Sequence, residues 1–308
     1  MCKIDKPKVI LLRCPEYDPA QVEARLRQMV SLAAVELCRP GQRVLLKPNM
    51  LAPEPPDSAC NTHPAVVEGV IKLVKSEGGQ PFLGDKPVLW NARRVAEKSG
   101  ILEVCQRCHV PIVEFGRNRP TKNTHVAEQV TQYDVILNLA KLKAHGQMIL
   151  TAGVKNMFGC VSLSRRVWRH FFSKNDHLVF SRMLLQVCQA LSPRFTIVDG
   201  ILAMEGTGPR GGAPRRLGLL IGGSNAVAVD RVIVEILGLP YLKLPTLAAA
   251  KELDIPGWDL EQIQVLGDSI ESVKVADFKL PAMQDIRFEI GRSVKILLRG
   301  LIKGGAGQ

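Results

Sequence analysis

Short apolar runs of β type alternate with amphipathic helical stretches through most of this chain, and that alternation constrains its fold more than any other feature. "KVILLR" (8–13) leads into a helical pattern through "PAQVEARLRQMVSLAAVEL", "RVLLKPN" (43–49) into a helix over 64–77, and "QPFLGD" (80–85) into a helix over 91–107. Further runs follow at "PIVEF" (111–115), "YDVILNLAKLK" (133–143), "RFTIVDGI" (194–201) and "LGLLIGG" (217–223), with a helical stretch near 177–191. Strands separated by helices build βαβ units, whose strands lie parallel because the crossover helix carries the chain back to the same end of the sheet. The expected fold class is therefore α/β: a wide, mostly parallel sheet with helices on both faces. After about residue 240 the pattern loosens. Residues 1–240 read as the α/β core domain, and 241–308 as a peripheral segment ending in a basic amphipathic tail, "RFEIGRSVKILLRGLIKGGAGQ".

At 308 residues with 46% hydrophobic content, the chain can bury a sizeable core. Its first residues hold only a four-residue apolar run with no small-residue cleavage site, and no stretch reaches the ~18 apolar residues of a membrane span. A soluble, cytoplasmic protein is the expectation. The eight cysteines are scattered without regular spacing, unlike the disulfide frameworks of short secreted chains, so reduced thiols are expected. An excess of 41 basic over 29 acidic residues, +12, points to an anionic partner.

Ligands of such sheets bind at the carboxyl ends of the strands, where loops and helix starts converge. Several strands here end in polar residues: Lys47 and Asn49, Asp85, Lys141 and Lys143, and Asp199. The segment "AKLKAHGQMILTAGVKNMFGC" (140–160) sets Lys141, Lys143, His145 and Lys155 among small and apolar residues. A lysine ammonium is seldom buried unpaired, so these groups need anions: Asp85, Asp199, Glu205, Asp230, or a ligand. Gly146, Gly153 and Gly159 would let a backbone turn approach that ligand closely. The proline-rich loop 49–64 reads as a lid, and "NTHP" as a helix start with Asn61 or Thr62 as cap. Gly206, Thr207 and Gly208 look like a phosphate cradle, but neither GxGxxG nor GxxxxGK[ST] is present, and a plain flexible loop is the simpler reading.

Other motifs are outweighed by plainer readings. "CQRCH" (105–109) matches the spacing of c-type haem attachment, yet Cys105 and Cys108 fall on the apolar side of a helix, and such attachment needs an exported chain. A zinc site on Cys105, Cys108 and His109 would need further ligands; Cys60 and His63 would serve only if the fold brought them near. The ferredoxin-type cysteine run for a four-iron cluster is absent. "SRRVWRHFFSK" (164–174) interleaves arginines with aromatics but belongs to no nucleic-acid motif, which argues against nucleic acid as the partner. The basic C-terminal tail is suited to peripheral contact with an acidic membrane surface, although packing on its own domain is the commoner use of such a helix.

Taken in order, "LLKPNM", "THP", "GDKP", "AKLKAH", "TAGVKNMFGC", "IVDGILAMEGTGPRGGAP" and "AVAVDRV" resemble the prokaryotic family catalogued as domain of unknown function 362, from about Lys47 to Arg231. Many members of that family carry a ferredoxin-like module and are described as iron–sulfur or redox proteins. This chain has no such module, so the resemblance implies at most a redox pathway with a separate ferredoxin. The residues matching the family's polar motifs are Lys47, Asn49, Thr62, Asp85, Lys141, Lys143, His145, Lys155, Asn156, Asp199, Glu205 and Asp230. The resulting expectation is a site for a small carboxylated or phosphorylated molecule. Lys143 and Lys155 hold the anion, His145 serves as general acid or base, and Asp85 or Asp199 orients a cation or proton. Lys47, Asn49, Thr62, Lys141, Asn156, Glu205, Gly206 and Asp230 line it. Neither a metal nor a cofactor is named by the sequence. A non-catalytic scaffold that delivers a metal or cluster, or docks a redox partner, is the alternative.

Overall fold

The computed structural model describes residues 6–121, 124–161 and 173–286. Its strands are β1 (Lys8–Arg13), β2 (Arg43–Pro48), β3 (Gln80–Asp85), β4 (Ile112–Glu114), β5 (Asn118–Pro120), β6 (His125–Ala127), β7 (Val135–His145), β8 (Ile149–Thr151), β9 (Phe195–Glu205), β10 (Ala213–Gly223) and β11 (Gln264–Gly267). Nine of them form one sheet, in the order β11-β1-β10-β9-β7-β2-β3-β4 with β8 paired to β7. Every strand on that path is parallel to its neighbours except β10, which is antiparallel to both β1 and β9. β5 and β6 form a separate antiparallel hairpin.

Both faces of the sheet are covered. Along β2 and β7 the side chains alternate: Val44, Leu46, Leu137 and Leu139 enter one core, while Leu45, Ile136, Ala140 and Leu142 enter the other. The first core is closed by α1 (Pro19–Ala33), α2 (Pro64–Ser76), α3 (Ala92–Lys98) and α4 (Ile101–Arg107). The second is closed by α5 (Gly153–Asn156), α6 (His177–Leu191), α7 (Ala226–Ile236) and α8 (Pro245–Glu252). Helix starts follow capping chemistry: Asp18 accepts the amide of Gln21, Asp176 those of Leu178 and Val179, and Asn225 that of Ala228.

From β2 the chain winds outward through β3 to β4, then returns to place β7 on the other side of β2 and winds away through β9. The chain therefore leaves the adjacent strands β2 and β7 in opposite directions at the carboxyl edge. This is the topological switch point at which open parallel sheets bind ligands.

Several local expectations change. The helix expected over 91–107 is two, broken at Ser99–Gly100, and α1 ends at Ala33, short of the expected 37. The loop 49–64 is no loose lid. Ala52, Ala59, Cys60, Asn61 and Thr62 are buried, and the loop lies as a strap across the strand ends. The cap of α2 is His63, whose Nδ1 accepts the Ala65 amide at 3.1 Å, rather than Asn61 or Thr62. Thr62 is displaced from that role because its hydroxyl donates to the Leu139 carbonyl at 2.7 Å, pinning the strap to β7. Beyond residue 240, β11 extends the sheet by pairing with β1, and α8 packs into the second core. The tail from 287 and residues 164–172 of the basic aromatic segment lie outside the described residues.

The Gly206–Gly208 run lies in the connection between β9 and the antiparallel β10, where no helix start follows to cradle a phosphate. Gly206 supplies a left-handed turn (φ +80°) and Gly208 a close approach of two backbones. A Cβ on Gly208 would run into the Ala144 carbonyl of β7, and Gly208 also accepts the Gly146 amide at 3.1 Å. Gly208→Ala is therefore expected to cost about 2 kcal/mol of stability, read as a lower urea midpoint at unchanged slope.

Candidate functional site

Strand alternation continues past the apolar residues of β2 and β7 and carries their lysines to opposite faces. Lys47 follows Leu45 onto the face of the second core. Its ammonium, 1% exposed, donates to Asp85 at 3.0 Å, to the Pro48 carbonyl at 2.8 Å and to Asn156 Oδ1 at 2.9 Å, which uses all three of its protons. Asp85 is further held by the amides of Met50 at 2.8 Å and Lys86 at 2.7 Å. Gly159 passes directly over this pair, where a Cβ would strike both the Asp85 carboxylate and the Lys47 ammonium. The glycine expected to admit a ligand instead admits an internal ion pair.

Lys141 lies on the opposite face, fully buried, and donates to Asp199 at 2.8 Å and to the Tyr17 hydroxyl at 2.8 Å. Asp199 also accepts the Tyr17 hydroxyl at 2.7 Å and the His63 amide at 3.0 Å. The His63 ring stacks on Tyr17 with centroids 3.5 Å apart. Burial pushes the imidazole down to about 4, with Asp199 opposing and Lys141 reinforcing the shift, so His63 is neutral in the physiological range. Since Nδ1 accepts the Ala65 amide, the ring proton sits on Nε2. Burial, and then Asp199, drive the Tyr17 hydroxyl up and keep it a donor.

Lys143 is the exception. It is 1% exposed, and its ammonium donates to Asn49 Oδ1 at 2.7 Å and to the Cys60 carbonyl at 2.6 Å, both neutral. Among the described residues no carboxylate pairs with it. Burial pulls it from the ordinary lysine value down to about 8, a shift that the neighbouring Lys141 and Lys47 reinforce and Asp85 opposes. Asn49 then bridges the two faces around the end of β2: its Oδ1 takes Lys143, and its Nδ2 donates to Asn156 Oδ1 at 3.0 Å, the same atom that holds Lys47. Asn156 continues inward to Asn138 Oδ1 at 2.8 Å. One hydrogen-bonded network thus joins Lys143, Asn49, Asn156, Lys47 and Asp85.

The structure brings together Lys47, Asn49, Thr62, Asp85, Lys141, Lys143, Asn156 and Asp199 as the sequence suggests, but spends both aspartates on internal lysines. His145 ends β7 with Nδ1 accepting the Gln147 amide at 3.1 Å. Lys155 is half-buried with its ammonium over the Phe158 ring. Glu205 and Gly206 do not face the lysines: the carboxylate accepts the Lys279 amide, and the Gly206 amide donates to the Lys279 carbonyl, so both hold the C-terminal segment. Asp230 caps α5 by accepting the amides of Gly153 at 2.6 Å and Val154 at 3.1 Å; burial raises it to about 7 against the pull of those bonds. Tyr17 gave no sequence signal, because only the fold places it near β7, and Thr151 opens the motif "TAGVKNMFGC" without standing out from it as a site residue. Asn138, a lone polar residue inside the apolar "VILNLA", was visible but unread. Cys105 is buried in α4, its thiol pushed up to about 12, and no three His, Cys, Asp or Glu side chains gather as metal ligands among the described residues.

The family model described as Domain of unknown function (DUF362) matches residues 44–235, more than half of the chain. The protein belongs to this family. The matched span holds every residue of that network, and His63, Lys141 and Asp199 of the opposite face, while Tyr17 lies before it. A thylakoid-associated protein of Synechocystis sp. is 38% identical over 296 residues, which cover 93% of this chain and 92% of that relative. The lactate racemase apoprotein from Thermoanaerobacterium thermosaccharolyticum aligns with a TM-score of 0.44 and 12% identity, over 72% of this chain and 56% of that one. This chain therefore spans little more than half the length of that structure.

The three lysines are expected to respond differently to replacement by methionine in this DUF362 protein. Lys47→Met and Lys141→Met each strand a buried aspartate and should cost about 3–5 kcal/mol. Lys143→Met removes an uncompensated charge at the expense of two hydrogen bonds, for a net change within about 2 kcal/mol. Because the Lys143 pKa falls on folding, the unfolded chain holds the extra proton above pH 8, so wild-type stability contains a term that rises from pH 8 toward the ordinary lysine value. Urea titrations across that window should show the rise in wild type and its loss in Lys143→Met.

Proposed function

We propose that this protein binds a small carboxylated or phosphorylated molecule at the carboxyl edge of its sheet, with Lys143 as the anchor. The observation that carries the reading is the buried Lys143 ammonium, held by two neutral oxygens while its neighbours Lys47 and Lys141 each have an aspartate. A charge placed in that position is costly unless an anion completes it. Its location at the switch point between β2 and β7 supports the same reading. His145, two residues along the same strand, is the candidate general acid or base, and Asp199 is a positioning group that fixes Lys141, Tyr17 and the start of α2. A separate ferredoxin as redox partner rests on the family resemblance.

Anion binding requires the protonated form of Lys143. Affinity should therefore be full below pH 8, fall about tenfold per pH unit above it, and level off once the pH passes the higher pKa of the bound state. Thermal-shift titrations with acetate and inorganic phosphate at pH 6.5 and pH 9.5 check this: stabilisation at the lower pH, its weakening at the higher, and its absence in Lys143→Met support the proposal. An anion response unchanged by Lys143→Met would contradict it.

The likeness to a thylakoid-associated protein favours a second, compatible proposal, peripheral membrane association through the basic tail. No described helix is long and apolar enough to cross a membrane. The full chain should float with vesicles containing anionic lipid and stay behind with neutral ones, and a chain ended after Ile286 should lose the difference.

A further inference from the structure

Thr151 has no assigned role, and its surroundings do not account for it. It ends β8, directly across the antiparallel pair from Lys143, so the two side chains project from the same face of the sheet. The residue is 3% exposed, and among the described residues its hydroxyl has no hydrogen-bond partner. A buried hydroxyl in that state is destabilising, whereas an apolar isostere would satisfy the packing. Lys143 is left with a matching vacancy of its own. An ammonium carries three donors, and the described residues accept two of them.

Among the described residues two donors on one face thus stand without acceptors, one charged and one neutral. Of the three buried ammoniums at this edge, Lys47 pairs with Asp85 and Lys141 with Asp199, which leaves the one positive charge of Lys143 without a carboxylate. A carboxylate brings one negative charge and two oxygens. A phosphate monoester brings a charge of about −1.5 to −2 and three oxygens, which would leave buried negative charge and acceptors with no donor. We infer that the ligand is a small monocarboxylate, one oxygen taking the free N–H of Lys143 and the other the O–H of Thr151. This rests on the reading of Lys143 as an anion anchor and adds to it both the ligand class and a second contact.

The test is calorimetric titration of the full-length protein at pH 7 with acetate and butyrate, and with inorganic phosphate and ethyl phosphate, in wild type, Thr151→Val, Thr151→Ser and Lys143→Met. Expected are carboxylate binding by wild type and Thr151→Ser, loss of about tenfold or more in Thr151→Val, and no carboxylate binding in Lys143→Met. Thr151→Val should melt no lower than wild type, since it removes an unpartnered hydroxyl, so its weaker binding cannot be laid to unfolding. Phosphates binding wild type as tightly as carboxylates, or Thr151→Val binding carboxylates as wild type does, would overturn the inference while leaving the Lys143 anion site standing. No anion binding by wild type would remove that site and the inference with it.

Discussion

Everything at the carboxyl edge of this sheet follows from the difficulty of burying a lysine ammonium. Taking such a charge out of water costs several kcal/mol even after relaxation, and only a well-placed anion with additional hydrogen bonds offsets it. Two of the three buried lysines are settled in that way, Lys47 by Asp85 on one face and Lys141 by Asp199 on the other. Much of the surrounding structure exists to hold these pairs. Gly159 lets the loop after α5 pass over the first, and Tyr17 and the start of α2 close around the second. Lys143, between them, is bonded only to neutral oxygens.

Topology explains why the three meet. Because β2 and β7 are neighbours whose chains leave in opposite directions, their carboxyl ends lie side by side beneath the strap 49–64 and α5. Asn49 sits at the end of β2, partly exposed, and links the networks of the two faces through Asn156. Two amides, Asn49 and Asn156, thereby connect the Lys143 ammonium to the Lys47–Asp85 pair on the opposite face.

The α/β class, the parallel order and the polar strand ends were legible because each depends on local periodicity, and β7 shows the lysines in plain alternation with apolar residues. What sequence could not show is which anion meets which cation. Asp85 and Asp199 look as free to serve a ligand as Glu205 and Asp230 do. Only the strand order pairs the first two with lysines and sends the others to a backbone amide of the C-terminal segment and to the start of α5. Tyr17 was hidden for the same reason, being an ordinary residue of a loop until the sheet closes, and Thr151, although it opens a quoted motif, shows its place opposite Lys143 only once β8 pairs with β7. The loop 49–64 misled in the opposite sense: its prolines signal irregular backbone but not burial, and Thr62 and Asn61 anchor it through bonds to residues far along the chain or across the loop.

The account stands on the state of one side chain, which heteronuclear NMR of protein carrying labelled lysine ε-positions reads directly. The Lys143 signal, assigned by its absence in Lys143→Arg, is expected to titrate near pH 8 in the free protein and to move upward by a unit or more when acetate is added. A Lys143 resonance that titrates at the ordinary lysine value and ignores anions would contradict it.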